Sequence, residues 1–346
     1  MALAGFGKTQ IPYHMFDMER SADEAKRFSK CERIYHRSQE IAWDGKTILP
    51  MLIEKHGSID LPPDKADAVK RIFAIILWGE MAAWKISAQL SDRLEPMEAR
   101  MAATSQAFDE ARHFYVMYDY LQHLNYVPER MDRAPQALLD LTLETKSTLH
   151  KLLGMQLMIE PLALTIFQTV RETNVEPVLC ELLKYYERDE ARHVGLGMQY
   201  LPSLMKGLNR RELSRMLTFQ CRLLFWALYE NKILEKDLAT LGVDSREVLE
   251  RGRRKQLAAL QEVWQALGLP KEQERNVVVM VLNGAIELLF PTEETKAGGH
   301  RAKLRAAWRA FWDLPEDVSS EELDVHGSHE IHTAKGQIAK GERVSA

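Results

Sequence analysis

The pentapeptide D-E-A-R-H occurs twice in the chain, at 109–113 and again at 189–193. Each copy pairs a Glu with a His three positions on, Glu110 with His113 and Glu190 with His193. On a helix that spacing puts both side chains on one face. Two more carboxylates repeat at the same 80-residue offset: Glu80 precedes Glu110 by 30 residues, and Glu160 precedes Glu190 by 30. Both stand in apolar runs, "IILWGEMAAWKI" and "GMQLMIEPLALTIF", where an unpaired carboxylate is expensive. The chain thus carries two copies of a unit supplying Glu, Glu and His. Four carboxylates cancel the charge of two divalent ions, and oxygen and imidazole donors suit iron or manganese. A lone Glu-x-x-His is common on helix surfaces. The doubled set at matched spacing points to a dinuclear site built from Glu80, Glu110, His113, Glu160, Glu190 and His193.

The repeat extends beyond the metal donors. Asp109 and Asp189 each precede a motif Glu, and a metal-binding His normally gives its second N–H to a carboxylate or carbonyl. The expected arrangement crosses the pseudo-twofold, with each Asp accepting from the other half's His. Arg112 and Arg192 then neutralise the buried Asp pair. Helical arithmetic places Ile76, Leu77 and Trp84 beside Glu80, Gln106 and Met117 beside Glu110 and His113, Gln156 and Leu164 beside Glu160, and Tyr186 and Gly197 beside Glu190 and His193. These form the expected substrate pocket, with Gln106 and Gln156 as polar anchors. Gly197 admits either close packing or space for substrate. Thr165 is the candidate for proton delivery, and Tyr186 for closing the cavity one turn before Glu190.

The elements that must carry these residues are helices. Helical periodicity dominates and sustained alternation is nearly absent. The pattern predicts helices over 20–56, 65–93, 94–124, 136–172, 173–205, 209–236, 243–265, 270–290 and 301–312, with Pro161 kinking the long 136–172 segment or forcing a π-type adjustment. The fold class is all-α, a helical bundle with additional C-terminal helices, and its two Glu helices plus two Glu-x-x-His helices resemble the ligand set of the ferritin-like bundle. The expected organisation is an N-terminal arm and helix over 1–64, the di-metal four-helix core over 65–205, further helices over 206–315 and a polar, flexible tail over 316–346.

The 346 residues are 46% hydrophobic and 28% charged, with a formal net charge of -4. That balance is globular and suggests no nucleic-acid surface. The opening residues lack a secretory pattern, and the apolar run at 72–79 is too short to cross a membrane. The three cysteines fit no metal or disulfide framework, which reads as a cytoplasmic protein with reduced thiols.

The doubled D-E-x-R-H resembles the ferritin-like di-iron carboxylate superfamily, and within it the hydroxylase subunits of bacterial multicomponent monooxygenases. The resemblance covers about residues 65–205. It implies two iron ions (or an Fe/Mn or Mn/Mn pair) on the six donors above, with Asp109 and Asp189 supporting the histidines. It further implies an O2-dependent oxidoreductase that hydroxylates, N-oxygenates or desaturates a small, acyl or aromatic organic substrate. Electrons come from a separate reductase or ferredoxin, since the chain has neither a flavin-type glycine motif nor cysteines spaced for an iron–sulfur cluster. A homodimer is compatible with this reading. The alternative is an iron-handling protein, or an oxidase like the small subunit of ribonucleotide reductase. That small subunit keeps a radical-forming Tyr where Met117 stands here, and the arylamine N-oxygenases add a His in the helical turn that holds Tyr186.

Overall fold

The computed structural model describes residues 18–268, 276–313, 318, 320–323, 331–332 and 338–339. In chain order the helices are α1 (Met18–Arg27), α2 (Ser29–Ile41), α3 (Gly45–His56), α4 (Pro63–Arg93), α5 (Met97–His123), α6 (Arg133–Glu144), α7 (Thr148–Gly154), α8 (Glu160–Glu172), α9 (Pro177–Met205), α10 (Arg210–Thr240), α11 (Ser245–Leu267), α12 (Val277–Leu289), α13 (Glu293–Ala297) and α14 (Gly299–Trp312). A π-helical turn, Met155–Ile159, joins α7 to α8. Ile331–His332 and Ile338–Ala339 form a short antiparallel pair. Ser320–Leu323 form a single 3-10 turn; apart from these residues, the strand pair and Val318, the tail expected over 316–346 lies outside the described residues.

Helix starts follow local chemistry. Pro63 occupies the first turn of α4, where its missing N–H costs nothing. The Glu176 carboxylate accepts from Val178 N and Leu179 N to start α9. Asn209 and Glu212 close a reciprocal capping box at α10.

Two predicted helices are subdivided. The segment 20–56 is three helices, broken at Phe28 and again at 42–44. Asp44 caps α3 by accepting from Lys46 N. Gly45 packs so closely on α5 that a Cβ there would lie 2.0 Å from Val116 Cγ2. The break turns Trp43 into the protein interior, where it is 2% exposed. The segment 136–172 stops at Glu144 and restarts at Thr148, with Ser147 capping through His150 N. The π adjustment expected near Pro161 is present one turn earlier, at Met155–Ile159.

α4 packs along α5, and α8 along α9, with α5 and α9 in contact between them. Two apolar clusters result. One gathers Leu90, Ala99, Leu157 and Leu201 with α11 residues such as Leu257. The other gathers Phe73, Tyr120, Phe167 and Leu182. On each of the four central helices the chain passes from one cluster to the other across a short buried polar segment: Glu80 on α4, Glu110 and His113 on α5, Glu160 at the head of α8, Glu190 and His193 on α9. The stretch Thr148–Glu172 is apolar and long enough to span a bilayer, but 72% of its most apolar window is buried inside the protein. It is a core segment.

Candidate metal centre

The six donors expected from the repeat converge. Glu80, Glu110, His113 and Glu190 form one group, and Glu110, Glu160, Glu190 and His193 a second, each with its donor atoms within 4.8 Å of one another. The groups share Glu110 and Glu190. Each shared carboxylate offers one oxygen to each side: Glu110 Oε2 lies 3.4 Å from His113 Nδ1 and Oε1 lies 3.1 Å from His193 Nδ1. Glu190 Oε1 lies 3.3 Å from His113 Nδ1, and Oε2 3.1 Å from His193 Nδ1. Glu80 and Glu160 are the outer carboxylates, 3.3 Å and 3.7 Å from the Nδ1 atoms of His113 and His193 respectively.

The other ring nitrogens point away from this cluster. His113 Nε2 lies 3.0 Å from Asp189 Oδ2, and His193 Nε2 lies 3.5 Å from Asp109 Oδ2. Each Asp therefore faces the His of the opposite half. Arg112 Nη2 donates to Asp109 at 2.6 Å and to Asp189 at 2.7 Å. Arg192 Nη2 contacts Asp109 at 3.2 Å and also bonds Asp189. Two arginines and two aspartates thus balance one another behind the imidazoles, and all four side chains are buried.

Charge balance decides what the front of the site can hold. With Asp and Arg neutralised, four buried glutamates face at most two imidazolium charges, and Glu110 Oε2, apart from its 3.4 Å ion-pair approach to His113, has no hydrogen-bond partner among the described residues. Burial, followed by neighbouring carboxylates, pushes Glu160 well above the usual carboxylate range, and burial likewise raises Glu80. At Glu110 burial acts in the same direction, but His193 and His113 prevail and hold its carboxyl low. At Glu190 burial and the Glu110 charge also oppose ionisation, yet Glu160 and the imidazoles hold it low. At Asp189 burial opposes ionisation too, and Arg192 and Arg112 overcome it. An ionised Asp189 keeps its proton-donating partner at His113 Nε2, leaving Nδ1 to face the carboxylates. Two divalent cations supply the charge that four glutamates require, and the donor set fits them.

Residues from outside the repeat complete the site. Trp43 donates from Nε1 to Asp189 Oδ2 at 2.8 Å, and the Arg112 guanidinium stacks on its ring at 4.6 Å. Arg192 Nε donates to the Ser38 hydroxyl. Nothing in the local sequence marks either residue, because only the break at 42–44 brings Trp43 inward.

The structure places most of the expected pocket residues away from the cavity. A cavity of about 120 Å3 borders Glu80, Glu160 and Glu190, and of the expected lining it contains Ile76 alone. Trp84 is 43% exposed and turns outward. Leu77, Met117 and Leu164 are packed in apolar clusters. Gln156 donates to Gln106 Oε1 at 2.6 Å, and Gln106 donates to Glu160 at 2.7 Å and Glu110 at 3.1 Å. Gln106 is committed to the carboxylates, and the Gln156 NH2 to Gln106, leaving Gln156 Oε1 without a hydrogen-bond partner among the described residues; neither side chain lines the cavity. A Cβ at Gly197 would lie 2.5 Å from Gln156 Cβ, which makes it a close-packing glycine. The Thr165 hydroxyl donates to Pro161 O, one turn back along its own helix, and does not border the cavity. Tyr186 stacks on the His113 ring with centroids 4.3 Å apart and donates to His113 O at 2.7 Å. The cavity walls come instead from α4, α6, the π turn, α8 and α10, including Glu230 and Asn231 on α10.

No protein-family profile matches the chain, and no curated protein matches it by sequence. Solved structures do. An aldehyde deformylating oxidase from Synechococcus superposes over 58% of this chain and 92% of its own, with a TM-score of 0.52 and 19% identity. The dimanganese(II) NrdF of Streptococcus sanguinis covers 79% of this chain and 99% of its own, with a TM-score of 0.55 and 14% identity. A variant of the R2-like ligand-binding oxidase with a Mn/Fe cofactor covers 69% and 93%, with a TM-score of 0.52 and 13% identity. With its paired helices, shared carboxylates and crossed Asp–His contacts, the chain has the ferritin-like fold and a buried carboxylate–histidine cluster suited to a dinuclear metal site.

Proposed function

We propose that the protein is an O2-dependent, dinuclear-metal oxidoreductase acting on a predominantly apolar organic substrate. The observation that carries this reading is the cavity: its lining is almost wholly aliphatic, yet it reaches Glu80, Glu160 and Glu190 directly. An apolar chamber ending on metal-binding carboxylates excludes water and positions one bond of a substrate beside the reactive centre.

Glu80, Glu110 and His113 would hold one ion and Glu160, Glu190 and His193 the other, with Glu110 and Glu190 spanning both. Iron is the preferred metal, with Fe/Mn and Mn/Mn as the other pairs. When bound, the ions supply the electrons for O2 reduction that no side chain here can provide. The protein's own contribution is positional. Asp189 and Asp109 hold the His113 and His193 rings by their Nε2 atoms. Tyr186 covers the His113 ring and ties its backbone. Gln106 orients Glu110 and Glu160 together. Burial raises the Glu80 and Glu160 carboxyls and so favours their protonated forms in the metal-free cluster, a preference that bound cations would oppose. A separate reductase or ferredoxin, a homodimer and a cytoplasmic setting belong to the same reading. The last is supported by the free thiols of Cys31, Cys180 and Cys221.

The test is anaerobic loading with iron(II), metal counting, and exposure to labelled O2 with candidate substrates. Two ions per chain and label in an organic product are expected. One ion per chain, or accumulation of many ferric ions without any effect of organic compounds, would overturn the proposal in favour of iron handling.

A further inference from the structure

The α10 wall of the cavity carries polar groups that the metal cluster and the packing leave unused. Glu230 and Asn231 line the cavity and are 9% and 7% exposed. Both Glu230 carboxylate oxygens and Asn231 Oδ1 are sealed from solvent with no hydrogen-bond partner among the described residues. All three atoms are acceptors. Leaving buried acceptors unpaired is costly, and a carboxylate is the worst case. The charged neighbours of Glu230 are Asp132 and Arg71. Arg71 is engaged elsewhere, by Asp132 at 3.4 Å and Asp237 at 3.0 Å. The surrounding lining is aliphatic, with Ile72, Ile76, Leu138 and Leu234 among it.

We propose that the cavity takes an apolar primary amine, its ammonium group docked on Glu230 and Asn231 and its alkyl or aryl body extending toward Glu80, Glu160 and Glu190. This rests on the oxidase reading and names the substrate class for that site. Three N–H donors of a primary ammonium match three unpaired acceptors, and its charge answers the buried carboxylate. An alcohol offers a single donor. A carboxylate ligand would set like charges together. Burial and then Asp132 push the Glu230 carboxyl up to about 7, and an adjacent ammonium reverses that shift.

Full-length protein loaded anaerobically with manganese(II) is titrated by calorimetry with n-octylamine, n-octanol and octanoate, and the metal content of the same sample is counted. The amine is expected to bind about tenfold or more tighter than either comparator. Glu230→Gln should abolish that preference while n-octanol binding persists, which reports an intact cavity. Glu230→Leu serves the same purpose if the amide variant folds poorly. Equal binding of all three compounds, tighter octanoate, or an amine preference that survives both substitutions would overturn the proposal. Amine preference in protein that holds no metal pair would sink the oxidase reading alone. A metal pair without amine preference would sink this inference alone.

Discussion

The two halves of the repeat agree at the metal and disagree one turn away. Positions 80 residues apart pair Glu80 with Glu160, Asp109 with Asp189, Arg112 with Arg192 and His113 with His193. The same offset pairs Gln106 with Tyr186, Ile76 with Gln156, and Met117 with Gly197. Gln106 braces two carboxylates, whereas Tyr186 roofs a histidine. Ile76 lines the cavity, whereas Gln156 is locked to Gln106. Two like cations need like donors on both sides, so charge preserves the symmetry of the inner positions. On the proposed function, access for a substrate needs one open side and one sealed side, so the flanking positions are free to differ. The π turn before Glu160 has no counterpart before Glu80 on the continuous helix α4. Such turns re-aim side chains at functional sites.

The largest expected effect comes from breaking what the halves share. Glu110→Ala should lose both metal ions, because each oxygen of that carboxylate serves one side. Glu80→Ala should keep the ion on the Glu160 side. Metal counting after desalting separates the two outcomes, and one ion retained by Glu110→Ala would show that the halves do not share that carboxylate.

Next in size are the crossed aspartates. Asp189→Asn and Asp109→Asn should each weaken metal affinity by about 10–100-fold, with Asp189 the more severe. It lies nearer its histidine, 3.0 Å against 3.5 Å, and also accepts from Trp43. Metal titration beside helical circular dichroism checks this, and the reverse order would remove Trp43 from the account.

Smaller effects sharpen the contrast between Met117 and Gly197. Met117→Ala empties a fully buried site and should cost about 2–5 kcal/mol. Gly197→Ala forces Gln156 aside. A net loss of about 1 kcal/mol is expected after the gain in helix propensity. Both are read as melting temperatures. A stabilising Gly197→Ala would show that the sealed side is looser than its contacts indicate.

The last contrast lies outside the repeat. Glu230 is held at about 7 in the folded protein, above the value of about 4.3 for an unfolded-chain Glu. Between those values the folded state retains a proton that the unfolded chain has released, so stability falls as pH rises through the window. Glu230→Gln removes that term. Its melting-temperature advantage over the parent should grow between about pH 4.3 and 7 and level off above. Thermal melts across that range test it.

The six donors, their Asp and Arg partners and the all-α class were legible because each rests on a local rule. Glu-x-x-His is set by helical pitch, and a lone carboxylate in an apolar run must find a counter-charge wherever the chain folds. Even the crossing of Asp to the opposite His follows from having two copies of one motif around a common pair of ions. The pocket was not legible. Helical arithmetic shows which residues share a face with Glu80, but whether Ile76 or Trp84 meets empty space depends on how closely α6 and α10 approach, and those helices lie far along the chain. Trp43 reaches Asp189 only because Gly45 lets α3 press against α5. Gln106 turned to the carboxylates rather than to the cavity because a buried amide takes the strongest acceptor within reach, and Gln156 followed by donating to Gln106. The periodic sequence determined the metal chemistry, since charge and pitch act over a few residues. Tertiary packing alone decided where the space beside it lies, since a cavity is what distant segments leave unfilled.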